Sequence, residues 1–182
     1  AKMHELTKNI KIKRQNDLSV NSWRSLFETV KDQCSKLHKD LPKLIEESLN
    51  SVEKKWPKDL PKGIIHADLF HDNIFFNKDK LSGIIDFYFS CEDFFAFEIA
   101  ICFNALCFDG LKENLSFNVT KAKNYIDGYS SIRKLSDQEK QNIKVLSQGA
   151  ALRFLLTRVF DALNTVEGAI VKVKDPIEYL KR

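Results

Sequence analysis

Apolar residues recur along this chain at two different periods, and the change of period divides it. Trp23, Leu26, Phe27 and Val30 fall at three- and four-residue spacing behind Asn21-Ser22, which predicts a capped amphipathic helix. Leu41, Leu44, Ile45, Leu49 and Val52 line one side of a second helix, with Pro42 in its first turn. Residues 1–9 read as the end of a helix and residues 10–20 as polar and irregular. Pro57, Pro61 and Gly63 close this helical stretch. The texture then becomes short and β-branched: Gly63-Ile64-Ile65-His66, Asn73-Ile74-Phe75-Phe76, a turn at 77–80, and Leu81-Ser82-Gly83-Ile84-Ile85-Asp86. The last two runs predict a β-hairpin. Residues 93–108 are apolar on nearly every side, which predicts a buried central helix. Asn118 suits the cap of a helix reaching about Tyr129. Ser136-Asp137-Gln138-Glu139 has the form of a capping box and opens a long helix to about Leu163. Asp175-Pro176 starts a short last helix.

This pattern predicts an α+β fold, mostly helical, with one small β-hairpin in the middle of a single domain spanning 1–182. Composition agrees. Of 182 residues, 43% are hydrophobic and 30% charged, with 14 Phe to bury, a globular balance rather than a disordered or membrane one. The net charge of +4 is mild and its lysines are spread, so no nucleic-acid partner is expected. The one basic cluster, Lys8, Lys11, Lys13 and Arg14, reads as a solvated loop. Cys34, Cys91, Cys102 and Cys107 form no CxxC pair. Cys102 and Cys107 sit in an apolar run and read as buried thiols, which fits a reducing cytoplasm. No signal peptide and no membrane-spanning run is visible, so no membrane partner is expected. The chain opens within a helix and its only Met is Met3, so it reads as a piece of a longer protein.

The informative stretch is His66-Ala67-Asp68-Leu69-Phe70-His71-Asp72-Asn73. It has the form H-x-D-x-x-x-x-N, the catalytic-loop pattern of protein kinases and their relatives. A carboxylate must accept the proton of an attacking hydroxyl, and Asp68 fills that role. Five residues on, Asn73 offers a neutral oxygen to Mg²⁺. His66 would hold the loop by hydrogen bonds rather than react. Ile84-Ile85-Asp86-Phe87 then ends an apolar strand in a carboxylate followed by Phe, as in the D-F-G metal site. The hairpin would bring Asn73 and Asp86 to one end, where a metal bridging ATP phosphates needs both. Two other chemistries fail on spacing. His66, His71 and Asp68 lack the further histidines of a zinc site, and Cys91 has no activating neighbour. The six glycines are never clustered, and no G-x-G-x-x-G phosphate loop exists. The nucleotide-covering lobe is therefore expected upstream of Ala1, and this chain alone should be nearly inactive.

These residues resemble the aminoglycoside phosphotransferase and choline kinase superfamily, and within it the bacterial homoserine kinases. The likeness rests on His66–Phe70 and Leu81–Phe89. It continues through Asp93–Ala105, Ser116–Lys121, Ala151–Arg158, Asp175–Leu180 and Trp23–Phe27. It implies the C-terminal lobe of a protein-kinase-like fold. The implied activity is transfer of the γ-phosphoryl of ATP, with Mg²⁺, to the hydroxyl of L-homoserine on the route to threonine. A choline, sugar or aminoglycoside acceptor is the alternative within the superfamily, and a pseudokinase interaction module the alternative outside catalysis. His71 stands where many relatives have Pro, and Glu98 where they often have Asp. A carboxylate at Glu98 is expected to brace the catalytic loop from the buried helix, and Asp93 to do the same.

Homoserine carries a carboxylate, which an arginine meets best. Arg153 and Arg158 lie in an otherwise apolar helix. Each is a candidate for that contact, or for an internal ion pair with a residue such as Asp161 or Asp93.

Overall fold

The computed structural model describes residues 1–10, 14–110, 114–165 and 174–182. Lys11 and Lys13 of the basic cluster lie outside the described residues. By compactness the chain divides into two units. One comprises Ala1–Asn16 and Pro57–Ser147, the other Asp17–Trp56 and Gln148–Arg182.

The first unit starts with helix α1 (Lys2–Thr7). Strand β1 (Lys62–Ile65) pairs antiparallel with β4 (Cys91–Phe94), with Ile65 opposite Cys91 and Lys62 opposite Phe94. Between them lies the expected hairpin, β2 (Ile74–Asn77) with β3 (Lys80–Ile84), whose register shifts between Phe75 and Phe76. A third small ladder joins β5 (Phe108–Asp109) to β6 (Ser116–Phe117). Of these three ladders the sequence pattern predicts only the hairpin. β4 escapes it because Glu92 and Asp93 interrupt the apolar alternation that marks a strand, and from residue 93 on the pattern reads as the helix behind it.

That helix, α4 (Phe95–Leu106), is buried from Phe95 through Ala105. Its apolar faces meet α5 (Val119–Ser130): Ile99, Phe103 and Cys107 pack with Ala122, Tyr129 and Leu135. Gly63 is needed where β1 passes the helix, since a Cβ there would fall 2.6 Å from the Phe95 ring. The Asn118 side chain caps α5 by accepting from the Lys121 N–H at 2.9 Å. Ser136 and Glu139 close the reciprocal capping box at 3.2 and 2.9 Å, which opens α6 (Asp137–Asn164).

In the second unit α2 (Val20–Cys34) packs on α3 (Leu41–Lys55) through Trp23, Phe27, Ile45 and Leu49, all fully buried. The rings of Trp23 and Trp56 meet edge-on at 5.1 Å. Gly149, in the part of α6 belonging to this unit, lies directly against both rings. A short α7 (Ile177–Leu180) follows Pro176. The four cysteines are buried thiols outside any disulfide. Among the described residues no helix is long and apolar enough to cross a membrane.

Candidate active site

The turn leaving β1 carries the candidate catalytic residues. Ala67 adopts φ 65°, in the left-handed region that costs an L-residue about 1–2 kcal/mol. Such strain persists only where surrounding contacts hold it. Here the holding group is Glu98, buried on α4. Its carboxylate accepts from the His66 N–H, and from the Ala67 N–H at 3.2 Å. Two backbone amides that would otherwise be buried without partners are thereby satisfied by one charge on the central helix.

His66, also buried, turns the loop back on itself. Its Nδ1 accepts from the Asp68 N–H at 3.2 Å, and its Nε2 stands 2.8 Å from the Ile85 carbonyl oxygen. A carbonyl only accepts, so the ring proton sits on Nε2 and Nδ1 is the acceptor. One imidazole thus ties the residue bearing the Asp68 carboxylate to the strand end bearing Asp86. The Phe87 ring closes over it, 4.7 Å between centroids.

Asn73 ends a 3-10 turn over His71–Asn73. Its Nδ2 donates to the Asp68 carbonyl at 2.8 Å. That bond orients the amide and leaves Oδ1 as the group available to a cation. The Asn73 carbonyl accepts from the Ile85 N–H at 3.1 Å, and Ile74 pairs with Ile84. Asp86 follows with φ 62° and ψ 61°, a left-handed residue at the hairpin's exit. Asp68, Asn73 and Asp86 are therefore neighbours, joined through His66 and the hairpin ladder. His71 and Asp72 are exposed on the same turn. Among the described residues no three His, Cys, Asp or Glu side chains cluster as a metal site. One carboxylate, Asp86, and one neutral oxygen, Asn73 Oδ1, are a donor set that fits Mg²⁺, which keeps waters and takes phosphate oxygens for its remaining positions.

Asp93 lies at the other end of β4. It accepts from its neighbour Phe94 N–H at 2.7 Å and from Asn16 Nδ2 at 2.6 Å. Behind Glu98 lies a group that the sequence did not mark. His4 of α1 is buried, with Nδ1 2.7 Å from the Tyr129 hydroxyl and Nε2 4.0 Å from the Glu98 carboxylate. Burial lowers the His4 pKa against the pull of Glu98, and burial raises Tyr129 to about 12. Arg133 extends the chain, 3.3 Å from Tyr129 and paired with buried Glu139 at 2.9 Å. A lone histidine in a short helix carries no local signal of such a partner.

Arg153 and Arg158 belong to the second unit. Arg158 donates to Glu178 at 2.8 Å and to the Asp175 carbonyl at 3.0 Å, and its guanidinium lies 4.4 Å from the Tyr179 ring centroid. Its ion pair is thus with Glu178, not with Asp161 or Asp93. Arg153 is buried with its guanidinium over Phe154, 4.3 Å from the ring centroid.

A candidate base, two candidate metal-facing groups and the hairpin between them are the parts that a phosphoryl-transfer site needs. A model of the phosphotransferase enzyme family matches residues 1–135. The chain belongs to that family. Homoserine kinase of Rhodospirillum rubrum is 51% identical over 166 residues, covering 91% of this chain and 51% of that protein. Homoserine kinase of Agrobacterium fabrum is 46% identical over 182 residues, covering 100% of this chain and 56% of that protein. The chain spans about half the length of the curated relatives it matches. A choline kinase structure from Cryptosporidium parvum Iowa II superposes with a TM-score of 0.62 at 17% identity, over 98% of this chain and 59% of that one. The likeness in fold is that of the C-terminal lobe of a protein-kinase-like enzyme, carried here by a phosphotransferase-family chain.

Proposed function

We propose that the full-length protein is a homoserine kinase, transferring the γ-phosphoryl of MgATP to the hydroxyl of L-homoserine. The observation that supports the reaction type is that His66 bonds both the Asp68 N–H and the carbonyl just before Asp86, while Asn73 donates to the Asp68 carbonyl. The choice of acceptor is supported by the 46–51% identity to homoserine kinases over nearly all of this chain.

In this reading Asp68 accepts the hydroxyl proton as the oxygen attacks phosphorus, leaving the acceptor as its phosphate ester and ADP as leaving group. Asn73 and Asp86 would hold Mg²⁺, whose contribution is to neutralise charge on the transferring phosphates. His66 keeps its ring proton and acts as a brace, with Glu98 and Asp93 supporting the loop from either side. No glycine-rich phosphate loop occurs in this sequence, so the remainder of the longer protein would grip the nucleotide. Buried cysteines outside any disulfide suit the cytoplasm that the reading implies. Arg153 and Arg158 remain candidates for the acceptor carboxylate, although the Glu178 pair favours a structural role for Arg158.

The test is ADP release by the full-length protein with MgATP, offered homoserine, serine, choline and an aminoglycoside in parallel. Selective release with homoserine is expected. Release with another acceptor alone keeps the reaction and rejects the substrate, and release with none rejects the reading.

A further inference from the structure

The catalytic unit holds an arginine whose placement the sequence did not suggest. Residues 14–16 run beside the segment that leads from Asp86 into β4, and each is tied to it. The Glu92 N–H donates to the Arg14 carbonyl at 2.7 Å. Gln15 forms a parallel bridge with Glu92. Asn16 Nδ2 donates to Asp93 at 2.6 Å. The Arg14 backbone is therefore fixed rather than trailing in solvent.

Its side chain makes an unusual choice of partner. Two carboxylates lie next to this strap, but Asp93 accepts from Asn16 and Glu92 pairs with Lys62 at 3.3 Å. The Arg14 guanidinium instead donates to the Tyr88 carbonyl and lies 5.8 Å from the Tyr88 ring centroid. Among the described residues it has no carboxylate partner. A carbonyl occupies one of its five N–H donors, which leaves the fork open to a bidentate anion.

The position matters as much as the charge. Tyr88 follows Phe87, whose ring lies on His66, and His66 binds the Asp68 N–H. Cys91 pairs with Ile65, three residues before Asp68. The segment 86–91 thus links the metal-facing carboxylate back to the root of the catalytic loop, and Arg14 sits on its middle. In the homoserine kinase reading the acceptor hydroxyl meets Asp68, which follows the strand that this segment pairs with. In homoserine the carboxylate lies only a few bonds from the hydroxyl.

We propose that Arg14 binds the α-carboxylate of the acceptor and selects amino acids over amino alcohols. This rests on the homoserine kinase reading and adds the group that recognises the substrate.

The experiment uses the full-length protein and its Arg14→Gln and Arg14→Lys variants, with homoserine and 3-aminopropan-1-ol, which is homoserine without its carboxylate. KM is measured for both acceptors and for MgATP, beside the thermal midpoint. Wild type is expected to favour homoserine. In Arg14→Gln the homoserine KM should rise about 10–100-fold, the loss of a hydrogen bond to a charged group. The KM for MgATP should stay put, and the preference over the amino alcohol should shrink by a similar factor. Arg14→Lys should fall between, because it keeps the charge and loses the fork. An unchanged preference in Arg14→Gln overturns the proposal while leaving the kinase reading intact. A rise in the MgATP KM instead assigns Arg14 to phosphate and also overturns it. Wild-type enzyme that phosphorylates neither acceptor rejects the kinase reading, and this proposal with it.

Discussion

The two units of this chain use burial in different ways. In the second, the α2–α3 core is apolar: Trp23, Phe27, Leu41, Ile45 and Leu49 are fully enclosed, two indoles meet edge-on, and the buried charges are the arginines Arg153 and Arg158 of α6. The Arg24 network with Glu46 and Glu53 stays at its partly exposed surface. In the first unit the deepest helix carries a carboxylate. Glu98 is 2% exposed, close to buried His4, and spends its oxygens on the backbone of a strained turn. Apolar packing tolerates small adjustments and yields stability. A buried charge holding two amides yields little net stability but fixes one conformation. The first unit contains all three left-handed non-glycine residues among those described, Ala67, Lys78 and Asp86, and two of them bracket the candidate chemistry. At Ala67 stored strain and buried charge go together, because the second is what maintains the first.

That contrast is tested most severely at Asp68, which is only partly buried and whose backbone N–H and carbonyl bond His66 and Asn73. In the full-length protein Asp68→Asn should lower turnover by about 10²–10⁴-fold, the usual share of a general base. Its thermal midpoint should stay near wild type. An unchanged turnover would remove Asp68 from the mechanism, and a large drop in midpoint would make the loop a structural element.

Glu98→Ala should do both kinds of damage. It leaves the His66 and Ala67 amides buried without an acceptor, at a cost of about 3–5 kcal/mol in chemical unfolding. Turnover should fall as well, because the turn at Ala67 loses what holds it left-handed. If stability falls while turnover per folded molecule does not, Glu98 merely fills space and the coupling of strain to buried charge is wrong.

In the second unit the corresponding change is steric. A Cβ on Gly149 would fall 2.2 Å from Trp56 Cζ3 and 2.8 Å from Trp23 Cη2. Alanine normally improves a helix by about 1 kcal/mol over glycine, yet here two rigid rings must move. Gly149→Ala should destabilise by about 1–3 kcal/mol in urea unfolding and leave the acceptor KM alone. A stabilised variant would show that the Trp pair is loosely packed.

How much of this was legible in the sequence follows from the range of each interaction. The helices were visible because their periodicity and caps are local: Ser136 and Glu139 are three residues apart, and so are Asn118 and Lys121. The motif from His66 to Asn73 was visible because its spacing is local too. What could not be read spans the chain. β4 finds its partner 26 or more residues upstream, and its charged centre hides it. His4 meets Tyr129 across 125 residues, and Arg14 meets Tyr88 across 74. Arg14 looked like one more charge in a basic run, because charge counting does not say which carbonyl a guanidinium meets. Arg158 finds Glu178, twenty residues on, where nearer or earlier acids were considered.

The smallest effect separates local from tertiary control within one helix. α6 begins in the first unit and ends in the second, so its start is governed by the capping box and its interior by packing. Ser136 Oγ accepts from the Glu139 N–H at 3.2 Å, and Glu139 returns a bond to the Ser136 N–H at 2.9 Å. Ser136→Ala removes one of the two bonds and should cost about 1 kcal/mol. Glu139 also pairs with Arg133, which reaches Tyr129 and through it His4. If the cap acts locally, Ser136→Ala lowers the unfolding midpoint and leaves kcat untouched. A fall in kcat beyond what the lost stability explains would mean that Glu139, once displaced, loosens the line through Tyr129 and His4 to Glu98. The start of α6 would then belong with the strained turn rather than with the helical framework.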